Sequence, residues 1–321
     1  MIELYIEKRH AMIYRLKPEF REKIWGGHKF RDLYHMDCGD GLVGEGWLVA
    51  CLPGKEDSEV EGTGMRLSQL YNEHNELFGF HGTDVVPIKF LLGDCNENTS
   101  VQLHPNNEYA RKYENSLGKS ECVFFLEVEP DSIAMYGHNA ENKKQLREMI
   151  DQGRWNELLR VYEHPKKNDF AYVPAGRVHT TCKGVVLLEL SGNADKTYRL
   201  YDFDRVGPDG KKRQLDIDKA MDVILCPDKE DPFVEPTVED LGDLKLYTYI
   251  DKPGEFSAFR LLCDGEGEFG LEEFSFWFIS EGEGFIDGKH VRKGETWFVP
   301  CKQEKMKIEG KLEIVIGSYK S

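Results

Sequence analysis

Short runs rich in Val, Ile, Phe and Tyr, each closed by Gly, Pro, Asp or Asn, recur through this chain, and that rhythm most constrains its fold. VPIKFLLGD, CVFFLEVEPDSIAMYG, DFAYVPAG and GVVLLELSG are examples. β-Branched and aromatic residues suit a pleated, half-buried surface, and the closing residues take up the backbone angles of turns. The rhythm predicts a mainly β protein. Two stretches break it: MRLSQLYNEHNELFG (65–79) and NAENKKQLREMIDQGRWNELLRVYE (139–163) space their apolar residues by three and four. In the second, Leu146, Met149 and Ile150 form one group, and Trp155, Leu158, Leu159 and Val161 follow Gly153. That spacing predicts helices inserted into the β framework.

A chain of 321 residues forms one large or two modest domains. A faint internal repeat favours two: NDFAYVPAGRVHT (168–180) aligns with GETWFVPCKQEKM (294–306), so that Pro174 matches Pro300. Ahead of the second copy, FWFISEGEGFIDGKHVRKGETWFVP carries the strand and turn order of a small β-barrel of the cupin type. The expected fold is mainly β, with two cupin-type jelly-roll β-barrels and a small helical insertion in the first half. Residues 1–205 are expected to form a catalytic, metal-binding unit, on whose partner the N-terminal strands pack, and 206–321 a second barrel without metal ligands. His179 of the first copy falls opposite Lys305 of the second, which confines any metal chemistry to the first half.

Composition narrows the partners. Fifty-eight acidic against 42 basic side chains give a formal charge of −16, which repels nucleic acid and anionic membranes at long range. An anionic substrate then needs a local cluster of Lys and Arg. The eight cysteines include no CxxC pair, which argues against a disulfide framework and a cysteine-based zinc site. The absence of a long apolar run, and an N-terminus unlike a signal peptide, give the expectation of a cytoplasmic protein without membrane partners.

Within SVQLHPNNEYA, Gln102 and His104 stand two apart on a strand and so share a face. Glu121, in GKSECVFFL, and His179, just past the VPAGRVH turn, could join them. Two imidazoles, a carboxylate and an amide oxygen suit Zn²⁺ or a similar divalent ion and leave room for water or substrate. Each could equally be a polar residue satisfied on its own, because spacing does not show that the fold gathers them.

The ordered set KPEFREKIWGG, GEGWLVA, VPIKFLLG, SVQLHP, GKSE, VPAGRVH and LLELSGNADKTYRLYDFDR resembles class I mannose-6-phosphate isomerase in its short bacterial form. The resemblance runs from about residue 12 to the end and is densest between 85 and 205, with the first eleven residues outside it and Met12 as the expected ancestral start. It implies an aldose–ketose isomerase that interconverts mannose 6-phosphate and fructose 6-phosphate. It also implies one zinc ion per chain, held by Gln102, His104, Glu121 and His179. The stretch SGNADKTYR and the looser GEGWLVACLPG depart from the family pattern without touching a ligand.

By the same resemblance Arg199 of TYRLYD is catalytic, its fixed charge suited to an enediolate or a phosphate oxygen; the plainer alternative is a salt bridge to Asp202 or Asp204. Lys119, two before Glu121, would face the same cavity and could meet phosphate or relay a proton, or be an exposed turn lysine. Glu189 is a charge in the apolar run VVLLELSG, an acid/base candidate or an ion-pair partner of Arg199. Lys89 in VPIKFLL and Ser100 at the head of the Gln-His strand are candidate substrate-binding residues. Trp25, Gly26 and Gly27 are read as pocket wall or strand bend, and Tyr198 and Tyr201 as packing. The rival functions are an isomerase of another sugar on this fold and a noncatalytic sugar-binding cupin. The oligomeric expectation is a monomer or weak homo-oligomer.

Overall fold

A computed structural model describes residues 13–79, 82–207 and 210–320. The eleven residues ahead of Met12, and Met12 itself, lie outside the described residues. Alternation of apolar residues builds three antiparallel sheets. The strands of two of them are β1 (Glu19–Gly27), β2 (Val43–Val49), β3 (Ile88–Cys95), β4 (Val101–Leu103), β5 (Glu121–Val128), β6 (Ile133–His138), β7 (Leu159–Glu163), β8 (Phe170–Val173), β9 (His179–Thr181), β10 (Val185–Gly192) and β11 (Tyr198–Tyr201).

A six-stranded sheet runs β8-β5-β10-β3-β2-β1, and a five-stranded sheet runs β7-β6-β9-β4-β11. They face each other across a cavity of about 420 Å³ to which both contribute side chains. The third, ten-stranded sheet is made mostly by the C-terminal half, with Phe256–Phe269, Met306–Ser318 and Ser275–Ile286 as central neighbours. Tyr14–Lys17 joins it by pairing with Thr296–Val299, so the N-terminal strand does pack on the second half.

Period-two alternation gives each strand of the six-stranded sheet two jobs. Leu91 of β3 and Glu189 of β10 line the cavity. Their neighbours Phe90, Leu190, Cys122 and Phe124 belong to a buried core shared with Phe276, Phe278 and Phe298 of the C-terminal sheet. The approach is close enough that Gly317 is required there: a Cβ at that position would lie 2.5 Å from Phe90 Cε1 and 2.8 Å from Leu190 Cδ2.

The helical stretches come out shorter than their periodicity predicts. Residues 65–79 give a helix at Leu67–Glu73 and a 3₁₀ turn at Asn75–Leu77. Residues 139–163 give Lys143–Asp151 and Trp155–Leu158, after which the chain straightens into β7. Val161 is therefore on a strand, opposite Met135 of β6. The free edge of β6 offers a full backbone ladder to residues of good β propensity, and that tertiary pairing overrides local spacing. Beyond residue 205 the chain stays on the first half: Ala220 and Ile224, in and just after the helix Ile217–Val223, share a core with Leu103, Leu146 and Leu200.

Gly317→Ala should leave the cavity residues in place yet weaken the packing behind them. The expected loss is about 1–3 kcal/mol, the range for overfilling a well-packed core, read by chemical unfolding.

Candidate metal centre

Three short strands set one wall of the site by register. On the five-stranded sheet His179 pairs with Gln102, and Gln102 pairs with Arg199, so the three stand in a row across β9, β4 and β11. His104 follows Gln102 by two residues. On the facing sheet Glu121 pairs with Ser191, which pairs with Lys89, and Glu189 precedes Ser191 by two on the same face of β10.

Across the gap, Glu121 meets both imidazoles. His104 Nε2 lies 3.2 Å from Glu121 Oε2 and His179 Nε2 lies 3.1 Å from Glu121 Oε1. All three side chains are buried, and their candidate ligand atoms lie within 4.8 Å of one another. Each ring is oriented from behind: His104 Nδ1 bonds Lys196 O at 2.8 Å and His179 Nδ1 bonds Arg177 O at 3.0 Å. A carbonyl only accepts, so both Nδ1 atoms carry a proton and both rings turn Nε2 toward Glu121. Lys119 Nζ reaches His104 Nε2 at 3.4 Å and Glu121 Oε2 at 2.7 Å but not His179 Nε2, and a divalent cation would satisfy all three side chains at once. Consistently, His179 Nε2 is buried without a hydrogen-bond partner among the described residues. The donor set therefore fits a zinc-type ion.

Lys119 sits beside this cluster, 2.7 Å from Glu121 Oε2 and 2.8 Å from Glu189 Oε1. Glu189 Oε1 also accepts from Ser191 Oγ at 2.8 Å. Burial pushes the Lys119 ammonium down, but the two carboxylates outweigh it and its pKa ends well above the usual lysine value. Burial likewise disfavours ionised Glu121, and Lys119 reverses that, leaving the carboxyl far below its usual range. His104 is pushed down to about 4, by burial first and Lys119 second, so it is neutral at pH 7.

The remaining candidates also reach the cavity. Lys89 is buried, donates to Ala194 O at 3.0 Å and lies 4.6 Å over the Trp47 ring. Ser100 donates to Gln102 Oε1 at 2.9 Å, which orients the amide. Arg199 makes neither of the salt bridges its sequence position suggests. Asp202 is held by Arg205 and Arg213, and Asp204 by Lys212. The Arg199 guanidinium instead donates from Nη1 to Gln214 O at 3.3 Å, and its buried Nε has no partner among the described residues. Glu189 is paired with Lys119 and not with Arg199.

Trp25 does form cavity wall, while Gly26 and Gly27 are structural: a Cβ at Gly27 would lie 2.4 Å from Asp94 Oδ2, which caps the next helix at Lys29 N. Tyr198 bonds Glu114 at 2.9 Å and Tyr201 stacks on Trp155, so both pack. The sequence reading missed Trp47, Asp195 and Arg213, which also line the cavity. GEGWLVA held a signal for Trp47; Arg213 lies in a turn-rich stretch with none. A larger cleft of about 810 Å³ between the N-terminal strands and the C-terminal sheet contains none of the candidate residues.

The family model "Phosphomannose isomerase type I, catalytic domain" matches residues 13–126. The chain is 35% identical over 310 residues to the probable mannose-6-phosphate isomerase GmuF of Bacillus subtilis, covering 94% of this chain and 98% of that one. It is 36% identical over 311 residues to mannose-6-phosphate isomerase ManA of the same organism, covering 94% and 97%. A crystal structure of the Bacillus subtilis mannose 6-phosphate isomerase superposes with a TM-score of 0.90 at 33% identity, over 95% of this chain and 99% of that one. A mannose 6-phosphate isomerase bound with zinc and yttrium shares the fold at a TM-score of 0.77 and 16% identity, over 97% and 100% of the two chains.

Stripping the protein with a chelator and restoring Zn²⁺ should raise its unfolding free energy by about 4 kcal/mol at a thousandfold excess over Kd. His179→Ala should abolish the gain. Because the His104 pKa lies below its ordinary 6.5, the metal-free fold holds that contribution above about 6.5 and loses it as pH falls toward 4. His104→Gln should therefore flatten the pH dependence of thermal unfolding across that window.

Proposed function

Because the chain belongs to the type I phosphomannose isomerase family, and so interconverts D-mannose 6-phosphate and D-fructose 6-phosphate, we propose that the cavity between its two facing sheets carries this reaction with one zinc ion. The observation that supports the reading is the buried triangle of His104, Glu121 and His179, with both imidazoles turned to present Nε2. Gln102, next to His179 in register, would add its amide oxygen. Zinc held by these four would act as a Lewis acid toward the sugar oxygens at C1 and C2.

Moving a proton between C1 and C2 develops negative charge on oxygen. Arg199 answers it: a permanent cation in the same row as Gln102 and His179, with a donor nitrogen unused among the described residues. Lys119 and Glu189 stand together on the opposite wall, 2.8 Å apart, and handle the proton. Lys89 and Ser100 contact substrate oxygens from the cavity floor. These cations supply the local positive field that a chain of net charge −16 otherwise lacks.

We further propose a division into a catalytic unit, 1–205, and a metal-free barrel, 206–321, with the stretch up to about 233 packed on the first. Among the described residues no helix is long and apolar enough to cross a membrane. The protein is proposed to be a cytoplasmic monomer or weak homo-oligomer, and its acidic charge supports the absence of nucleic-acid and anionic-membrane partners.

Metal-loaded protein should convert mannose 6-phosphate to fructose 6-phosphate, lose the activity to a chelator and regain it with Zn²⁺. Arg199→Ala should lower kcat/KM by at least about 100-fold, the usual effect of removing one donor to a developing oxyanion. Full activity without metal would remove zinc from the reaction. Equal turnover of free mannose would assign the cavity to unphosphorylated sugars.

A further inference from the structure

The segment after Arg199 returns to the site twice. First, Asp216 N donates to Arg199 O at 2.7 Å, and Gln214 O accepts from Arg199 Nη1 at 3.3 Å. Then, beyond the helix Ile217–Val223, the chain crosses to the turn that carries His179. Leu225 N donates to Gly176 O at 2.9 Å, and Leu225 O lies 2.8 Å from His138 Nε2. The fit is close: Gly176 has φ +89°, and a Cβ on it would lie 2.5 Å from Val223 O.

Three residues later Asp228 grips Arg177 with both oxygens, Nε donating to Oδ2 at 3.0 Å and Nη2 to Oδ1 at 2.9 Å. Arg177 and Asp228 are 3% and 4% exposed. Arg177 Nη1 also donates to Tyr172 O at 3.2 Å, and the exposed Glu230 lies 3.6 Å from Nη2. The carbonyl of this same Arg177 accepts from His179 Nδ1.

We infer that Asp228 is a positioning residue for the metal centre: by clamping Arg177 it fixes the carbonyl that aims the His179 imidazole at Glu121 and His104. A buried ion pair adds little net stability over an apolar pair of the same shape, because both ions must be stripped of water. A planar guanidinium held by two parallel bonds does fix orientation, and the pair stands directly behind a ligand. Asp228 touches neither the cavity nor the ligand atoms. Its link to the ligand runs through the backbone of residue 177. The inference rests on the zinc reading given above.

The test is zinc affinity, measured by competition with a chromophoric chelator on the full chain, for wild type, Asp228→Glu and Asp228→Asn. Far-UV circular dichroism and thermal unfolding of the metal-free proteins report the fold separately. Asp228→Glu keeps both charges but lengthens one arm by a methylene; it should stay folded and bind zinc about 10- to 100-fold more weakly, the usual effect of disturbing the outer partner of a ligating histidine. The Nδ1 proton resonance of His179 should shift in the same variant. Asp228→Asn should weaken zinc binding in the same direction and lower the unfolding temperature, since it leaves a buried guanidinium without its counter-charge. If Asp228→Glu binds zinc as tightly as wild type, the pair is structural only and the inference falls, whatever happens to thermal stability. If wild type itself binds no zinc, the metal reading fails and takes this inference with it.

Discussion

Burying Glu121 is the act around which the rest of the molecule is arranged. An isolated carboxylate in a dry interior is heavily penalised, so this one must be surrounded. Lys119 neutralises it from the loop just ahead of its own strand, and two imidazoles face it from the other sheet. Lys119, however, is shared with Glu189, so one ammonium serves two carboxyl groups. A divalent cation between the two sheets adds positive charge there, which is the polarity an anionic sugar phosphate requires.

How much of this could be read from residues alone depends on the distance over which each part is decided. Gln102 with His104, and Lys119 with Glu121, are two apart across a strand end, and an extended period of two places them together before any fold is known. That His179 stands beside Gln102 is decided by the pairing of β9 with β4, between segments more than seventy residues apart. Strand spacing carries no trace of that register; the family resemblance supplied it. Arg199 shows the opposite limit. Asp202 and Asp204 are its neighbours in sequence, but Arg213, Arg205 and Lys212 from the following loop occupy them and release it. Composition cannot say which of several arginines claims a given aspartate.

The same logic explains the misjudged helix end. Trp155, Leu158 and Leu159 have helical spacing, yet Leu159–Glu163 is a strand because the edge of β6 stands ready to pair with it. Local preference amounts to a few tenths of a kcal/mol per residue, and a ladder of backbone hydrogen bonds with side-chain burial outweighs it.

The C-terminal half shows why a repeated architecture need not repeat the chemistry. Where the first half has polar side chains at inward positions, Ser275–Ile286 turns Trp277 and Ile279 into a core completed by Met306, Ile308 and Ile314, all fully buried. Indole and branched alkyl groups occupy that interior, and Lys305, opposite His179 in the repeat, is exposed. The filled half stiffens the open one. Phe90 and Leu190 pack against Gly317 and its neighbours on one face of the sheet, while the residues beside them in sequence, Lys89 and Glu189, face the cavity. A strand pinned on one face by close packing has little freedom on the other. Holding buried charges at fixed separation in a cavity that must also admit substrate requires that rigidity, because a site that could relax around its own ion pairs would close on them.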